Sequence, residues 1–137
     1  MYKIFVYGTL MIDEIMERVT GKSFPSAPAV LRNYIRSKLK GSVYPGIEFW
    51  PGSYVGGKIY FGVDAQSLER LDRFEGDCYQ RTKVRVFDSS GTEHEAFVYA
   101  IKDVYTYLLT GEPWELEEFR KKHVRTFTQG YEGFTAV

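Results

Sequence analysis

Residues 1–11 read Met1-Tyr2-Lys3-Ile4-Phe5-Val6-Tyr7-Gly8-Thr9-Leu10-Met11. Residues 2–7 have the β-branched and aromatic content of a short strand buried on both faces. The run breaks at Gly8-Thr9, and apolar residues resume at once with Leu10 and Met11. Beyond the break, Ile12, Ile15, Met16 and Val19 recur at helical spacing, which predicts a helix over residues 13–19 stopped by Gly21. A strand ending in Gly-Thr directly before a helix presents backbone N–H groups at the helix start, with the helix dipole behind them, where an anion can sit. Glycine there lets the backbone approach a ligand with no Cβ in the way. The other reading is a plain turn with Thr9 as a weak helix-start residue, and this stretch alone does not separate the two.

Working outward, Pro25 and Pro28 mark a loop, followed by a long extended or bent segment that ends at a turn, Tyr44-Pro45-Gly46. A second turn, Trp50-Pro51-Gly52-Ser53, leads into a strand over residues 54–63. The Gly56-Gly57 pair in that strand signals a bulge or a close backbone approach. Asp64 is placed to N-cap a helix over residues 65–74 with the apolar stripe Leu68, Leu71, Phe74. Residues 82–88 and 95–101 read as strands joined by a hairpin at Ser89-Ser90-Gly91-Thr92. Glu112-Pro113-Trp114 opens a last, charged helix running to about His123, with Pro113 in its first turn. These elements predict an α+β fold built on a strongly curved sheet or a small barrel; periodicity does not distinguish those two.

The chain has 137 residues, which predicts one domain over 1–137. Its 11 Tyr against 10 Phe suit a lined cavity as well as an aromatic-rich β-core. Lys+Arg and Asp+Glu both number 18, so no net field attracts nucleic acid or an acidic membrane. The lone cysteine, Cys78, has no internal disulfide partner, which favours a reducing, cytoplasmic setting. The apolar N-terminal run is too short for a signal core and is interrupted by Lys3. No stretch approaches the ~20 apolar residues of a membrane span.

The second chemical feature is Leu71-Asp72-Arg73-Phe74-Glu75-Gly76-Asp77. Glu75 falls at the end of the predicted helix, just before the glycine that should terminate it. A carboxylate facing the negative end of a helix dipole, or buried, has a raised pKa and becomes a better proton acceptor near neutral pH. The alternative is a solvated glutamate in an acidic surface turn. Arg81 reads as a strand-flanking residue or a partner of nearby carboxylates. Neither His94 nor His123 lies near Cys78 in sequence, which argues against a Cys–His nucleophile, and the two histidines lack metal-ligand spacing. No P-loop or dinucleotide fingerprint occurs.

Taken in order, FVYGTLM, KGSVYPGI, VGGKIYFGV, LERLDRFEGDCYQRTKVRV, AFVYAI and PWELEEFRKKH resemble the gamma-glutamylcyclotransferase-like superfamily, most closely its branch of plant avirulence-induced-gene-like proteins and their microbial relatives. The resemblance runs over nearly the whole chain and is weakest over residues 22–28 and after Arg125. It implies a small mixed β-barrel flanked by short helices, with a cavity at its mouth. It further implies that Tyr7, Gly8, Thr9 and Leu10 hold a substrate α-carboxylate and that Glu75 is the general acid/base. The implied reaction converts a small γ-glutamyl amine or γ-glutamyl amino acid into 5-oxoproline and the free amine. That chemistry needs no metal or cofactor. Tyr79 and Tyr99, in positions related to family tyrosines, would place hydroxyls in the cavity, and Tyr44 would line its mouth. A monomer and a homodimer are both compatible. After YGTL the segment MIDEIMERV is acidic and helical, where the γ-glutamylamine branch often carries a basic, glycine-containing one.

The rival reading is a non-catalytic small-molecule-binding or interaction domain on the same scaffold. The discriminating observation is whether Glu75 points into the same pocket as the Gly8–Leu10 amides.

Overall fold

Strand β1 (Tyr2–Val6) lies at the centre of the molecule because alternate side chains feed two cores. Ile4 and Val6 enter one apolar cluster, while Phe5, and Tyr7 just beyond the strand, enter the other. The computed structural model describes residues 1–122. Around β1 it places helix α1 (Asp13–Thr20), strands β2 (Ser26–Lys38) and β3 (Pro45–Val63), helix α2 (Ala65–Glu75), strands β4 (Tyr79–Asp88) and β5 (Glu93–Ile101), and helix α3 (Leu116–Lys122). The strand order β1-β3-β2-β4-β5 closes on itself, so the sheet is a barrel rather than an open curved sheet. β1 runs antiparallel to β3 and closes the ring by pairing parallel to β5 at Ile4↔Phe97.

The cluster containing Phe5, Leu31, Ile47, Val55, Val86 and Val98 draws on all five strands and on no helix, and it fills the barrel. The other cluster packs Ile15, Met16 and Val19 of α1 and Leu68 and Leu71 of α2 against the outside of β1 and β3. Gly21, at φ +79°, ends α1 as the sequence predicts. Asp64 caps α2, accepting from the Ser67 amide at 3.3 Å and the Ser67 hydroxyl at 2.6 Å. The hairpin between β4 and β5 also forms as predicted, with β4 starting earlier, at Tyr79. No helix among the described residues is long and apolar enough to cross a membrane.

Four sequence expectations are corrected. The chain reverses over residues 39–44, not at Tyr44-Pro45-Gly46: the Leu39 amide donates to the Tyr44 carbonyl at 3.1 Å, and Pro45 and Gly46 already pair with Lys38 and Ser37. Trp50-Pro51-Gly52-Ser53 is not a turn between strands but a bulge inside β3. There the register jumps from Tyr34↔Phe49 to Arg32↔Tyr54, and Gly52 (φ +89°) donates to the side chain of Asn33 (φ +65°) at 3.1 Å. Pro28 lies in β2 rather than in a loop; β2 meets β4 only at Ala29 and Val30, so the proline sits where the strand has one neighbour. Finally, α3 begins at Leu116, because the preceding chain is pinned in a non-helical path by buried Trp114, whose indole N–H donates to the Val43 carbonyl at 2.8 Å. Its expected end at His123 lies outside the described residues. The Gly56-Gly57 pair resolves as a close approach at Gly57, where a Cβ would lie 2.2 Å from the Val6 carbonyl oxygen.

Candidate functional site

β1 delivers Tyr7 to one end of the barrel and the backbone then breaks at Gly8 (φ −131°, ψ −134°) into a single 3-10 turn, Thr9–Met11. The Met11 amide donates to the Gly8 carbonyl at 3.0 Å and the Ile12 amide to the Thr9 carbonyl at 3.1 Å. The Thr9 and Leu10 amides come before the first donor of the turn, so the turn itself provides them with no acceptor. This turn is separate from α1, because extended Ile12 (φ −82°, ψ 112°) lies between them. The amides of the turn therefore do not stand at the end of α1's dipole, which corrects the sequence expectation. Glycine is required at position 8 by packing: a Cβ there would lie 2.9 Å from Pro45 Cγ.

The turn forms one wall of a cavity of about 410 Å³. Tyr7, Gly8, Thr9 and Leu10 line it, and so do Tyr44, Glu75, Tyr79 and Tyr99. The structure thus brings every sequence-predicted site residue to one space, contributed by β1, the β2–β3 connection, the end of α2, β4 and β5. The volume falls in the range of small-molecule sites.

Glu75 closes α2, with Gly76 (φ +81°) turning the chain away immediately after it. Glu75 is half-buried and lines the cavity, and its carboxyl is largely withdrawn from water. That loss of water, followed by the negative charge of Asp72 one turn earlier, pushes its pKa up to about 8. Asp72 was not singled out from the sequence. It accepts from the Tyr99 hydroxyl at 2.6 Å and is paired with Arg81 at 3.0 Å, which gives Arg81 the carboxylate-pairing role anticipated for it. Replacing Asp72 with Asn removes the charge and is expected to lower the Glu75 pKa. NMR titration of the Glu75 carboxyl would read that shift.

The tyrosine hydroxyls are oriented by partners inside the protein. Tyr7 donates to the Tyr99 carbonyl, Tyr79 to the Pro45 carbonyl at 2.7 Å, and Tyr99 to Asp72. Burial raises the pKa of all three, as it does for Tyr44, and Glu75 adds to each effect, so they stay neutral phenols. A phenol that has given its proton to a protein carbonyl still has oxygen lone pairs with which to accept. The cavity therefore combines backbone donors on one wall with phenol oxygens and a carboxyl on the others. That is a match for a ligand bearing a carboxylate and an amine.

Cys78 also lines the cavity, with no histidine beside it among the described residues, and His94 pairs with Asp88 at 2.8 Å near the β4–β5 hairpin. No cluster of His, Cys, Asp and Glu able to hold a metal ion occurs among the described residues. Lys40, Ser42 and Asp77 add to the polar lining; they lie within the quoted KGSVYPGI and LDRFEGD stretches but were not singled out there as site residues.

Residues 4–121 match the sequence profile of the family described as "Gamma-glutamyl cyclotransferase, AIG2-like". AIG2-like protein D of Arabidopsis thaliana is 34% identical over 131 residues, covering 93% of this chain and 84% of that protein. Protein AIG2 C of the same plant is 32% identical over 133 residues, covering 95% and 79%. Among solved structures, an Arabidopsis thaliana protein determined in solution superposes with a TM-score of 0.74 at 29% identity, covering 96% of this chain and 80% of its own. An AIG2-like protein from Mus musculus gives 0.60 at 28% identity, covering 84% and 86%. A gamma-glutamyl cyclotransferase structure gives 0.65 at 17% identity, covering 99% and 87%, a likeness of fold alone. By fold and by a sequence match that spans both the Gly8 turn and Glu75, the chain belongs to the gamma-glutamyl cyclotransferase, AIG2-like family.

Proposed function

We propose that this chain is a gamma-glutamylcyclotransferase that converts a small γ-glutamyl amine or γ-glutamyl amino acid to 5-oxoproline and the free amine. The observation that carries the reading is the pairing, in one cavity, of Glu75 at a pKa of about 8 with the Gly8–Leu10 turn. The turn amides would receive the substrate α-carboxylate, and the α-amine would lie toward Glu75 and the tyrosine oxygens. The amine nitrogen attacks the γ-carbonyl carbon, forming the lactam C–N bond. Before the attack Glu75 takes one proton from the substrate ammonium, and it gives that proton to the departing nitrogen as the original amide bond breaks. The freed carboxylate then collects the surplus proton of the lactam nitrogen and passes it to the released amine, which leaves as an ammonium, so the enzyme ends as it began.

The proton balance fits the site. An α-amine has a pKa of roughly 8, so transfer to a carboxylate of ordinary pKa ~4.3 would be strongly uphill. Transfer to a group matched near 8 is close to level. Holding amine and carbonyl together is the larger contribution, since well-oriented intramolecular reactions reach effective molarities on the order of 10⁵–10⁸ M.

The test is a panel of γ-glutamyl amines and dipeptides assayed for 5-oxoproline, with Glu75→Gln as control. Release from at least one compound by the native protein, lost in the variant, is the expected outcome. No release from any compound would leave the non-catalytic binding domain as the better reading.

A further inference from the structure

Outside the cavity, on the far side of the Gly8 turn, Arg36 of β2 sends its guanidinium past β3 to the backbone of Tyr7, just beyond the end of β1. Its Nη1 donates to the Tyr7 carbonyl at 2.8 Å and to the Gly56 carbonyl at 3.2 Å. The register explains why that carbonyl is available. The β1–β3 ladder runs to Val6↔Lys58 and then stops, so the Tyr7 carbonyl emerges where the strands part. Gly57 lets the Val6 carbonyl come closer than any side chain would allow, and nothing occupies the space beside Gly56. The guanidinium is backed by Trp114, whose ring centroid is 5.5 Å away, and by the charge of Glu115.

A trans peptide points its C=O and N–H in opposite directions. Holding the Tyr7 carbonyl toward Arg36 therefore turns the Gly8 N–H away from Arg36, and Gly8 lines the cavity whereas Arg36 does not. A cation on the carbonyl also polarises the peptide and strengthens its N–H as a donor. We propose that Arg36 is a positioning residue for carboxylate binding: it aims and polarises the Gly8 amide from outside the cavity without touching the ligand. This rests on the turn being the carboxylate site, as in the proposed function.

The test does not need turnover. ¹⁵N-labelled native protein, Arg36→Met and Arg36→Lys are titrated with 5-oxoproline and, separately, with its carboxamide counterpart, following the Gly8, Thr9 and Leu10 amides by NMR. The spectrum itself reports whether each variant is folded. In native protein, 5-oxoproline is expected to move the Gly8 amide. In Arg36→Met its affinity falls by about tenfold, the scale of one hydrogen bond to a charged group, while the carboxamide binds native and variant alike. Arg36→Lys, which keeps the cation, lies between. Equal affinity for 5-oxoproline in native protein and Arg36→Met would overturn the inference. So would an equal loss for carboxylate and carboxamide, which would mark Arg36 as merely structural, or a Gly8 amide unmoved in native protein. Binding with the expected Arg36 dependence in a protein that releases no 5-oxoproline from any substrate would sink the cyclotransferase reading and leave this one standing.

Discussion

Glu75→Gln is expected to lower 5-oxoproline release by roughly 10²- to 10⁴-fold, the usual scale of a positioned acid/base, and to make the protein more resistant to heat at alkaline pH. The two effects share a cause. In the folded chain the carboxyl holds its proton up to about pH 8, against an ordinary value of 4.5, because burial and Asp72 oppose ionisation. A raised folded pKa means that this group's contribution to stability is complete below about 4.5 and declines as pH rises to about 8. Glutamine resembles the protonated carboxyl and has nothing to ionise. Melting curves at pH 4 and pH 8 should therefore coincide at the lower pH and separate at the higher, with the variant melting later. Identical pH dependence in both proteins would show that Glu75 is not held neutral. On the proposed reaction the productive complex would share one proton between the substrate amine and Glu75, so a bell-shaped activity profile centred near 8 is expected.

The second large effect concerns two adjacent glycines with opposite fates. A methyl at Gly57 would lie 2.2 Å from the Val6 carbonyl oxygen and 2.8 Å from Phe5 Cζ, both parts of the barrel that cannot swing aside. Gly57→Ala must push β1 off β3 and is expected to cost about 3 kcal/mol, the upper end for overpacking. That is a melting-temperature drop on the order of 10 °C for a chain of this size. At Gly56 nothing lies within 4 Å, so Gly56→Ala should leave stability within about 0.5 kcal/mol of the native protein. Thermal melts of the pair check both statements, and a stable Gly57→Ala would mean that β1 and β3 have slack at this point.

Local chemistry was legible from the sequence wherever a residue acts through its immediate neighbours. The Gly21 stop, the Asp64 cap and the position of Glu75 at the end of α2 all followed from residues within a turn of one another. Proline and glycine misled where the barrel overrode their ordinary meaning. Pro51-Gly52 reads as a reversal, yet β3 continues through it, because the strand must coil sharply and the bulge opposite Asn33 supplies the coil. Pro113 reads as a helix start, yet the burial of Trp114 against the Val43 carbonyl delays α3 to Leu116. The site was legible where a motif marks it and silent elsewhere. Asp72 acts on Glu75 from one turn earlier in α2, within a polar stretch that looks like any exposed helix face. Arg36 acts on a backbone carbonyl contributed by a residue far away in the chain, and a backbone acceptor leaves no trace in sequence.

The way the barrel closes has a dynamic consequence. β2 with β3, and β4 with β5, form long ladders, the first broken by the bulge, whereas backbone pairing among the described residues joins the two hairpins only at Ala29–Val30 with Phe87–Asp88 on one side and, by way of β1, at Ile4 with Phe97 on the other. Such a ring is two stiff plates sharing two narrow seams, and each plate should behave as its own cooperative unit in native-state hydrogen exchange. Gly8 travels with the first plate, through β1 and its ladder to β3, and Tyr79 and Tyr99 travel with the second. The Tyr7–Tyr99 and Tyr79–Pro45 hydrogen bonds cross between the plates at the mouth of the cavity. Breathing of the seams would thus widen or narrow the cavity directly, and an occupant bridging both walls is expected to slow amide exchange along the seams more than anywhere else in the barrel.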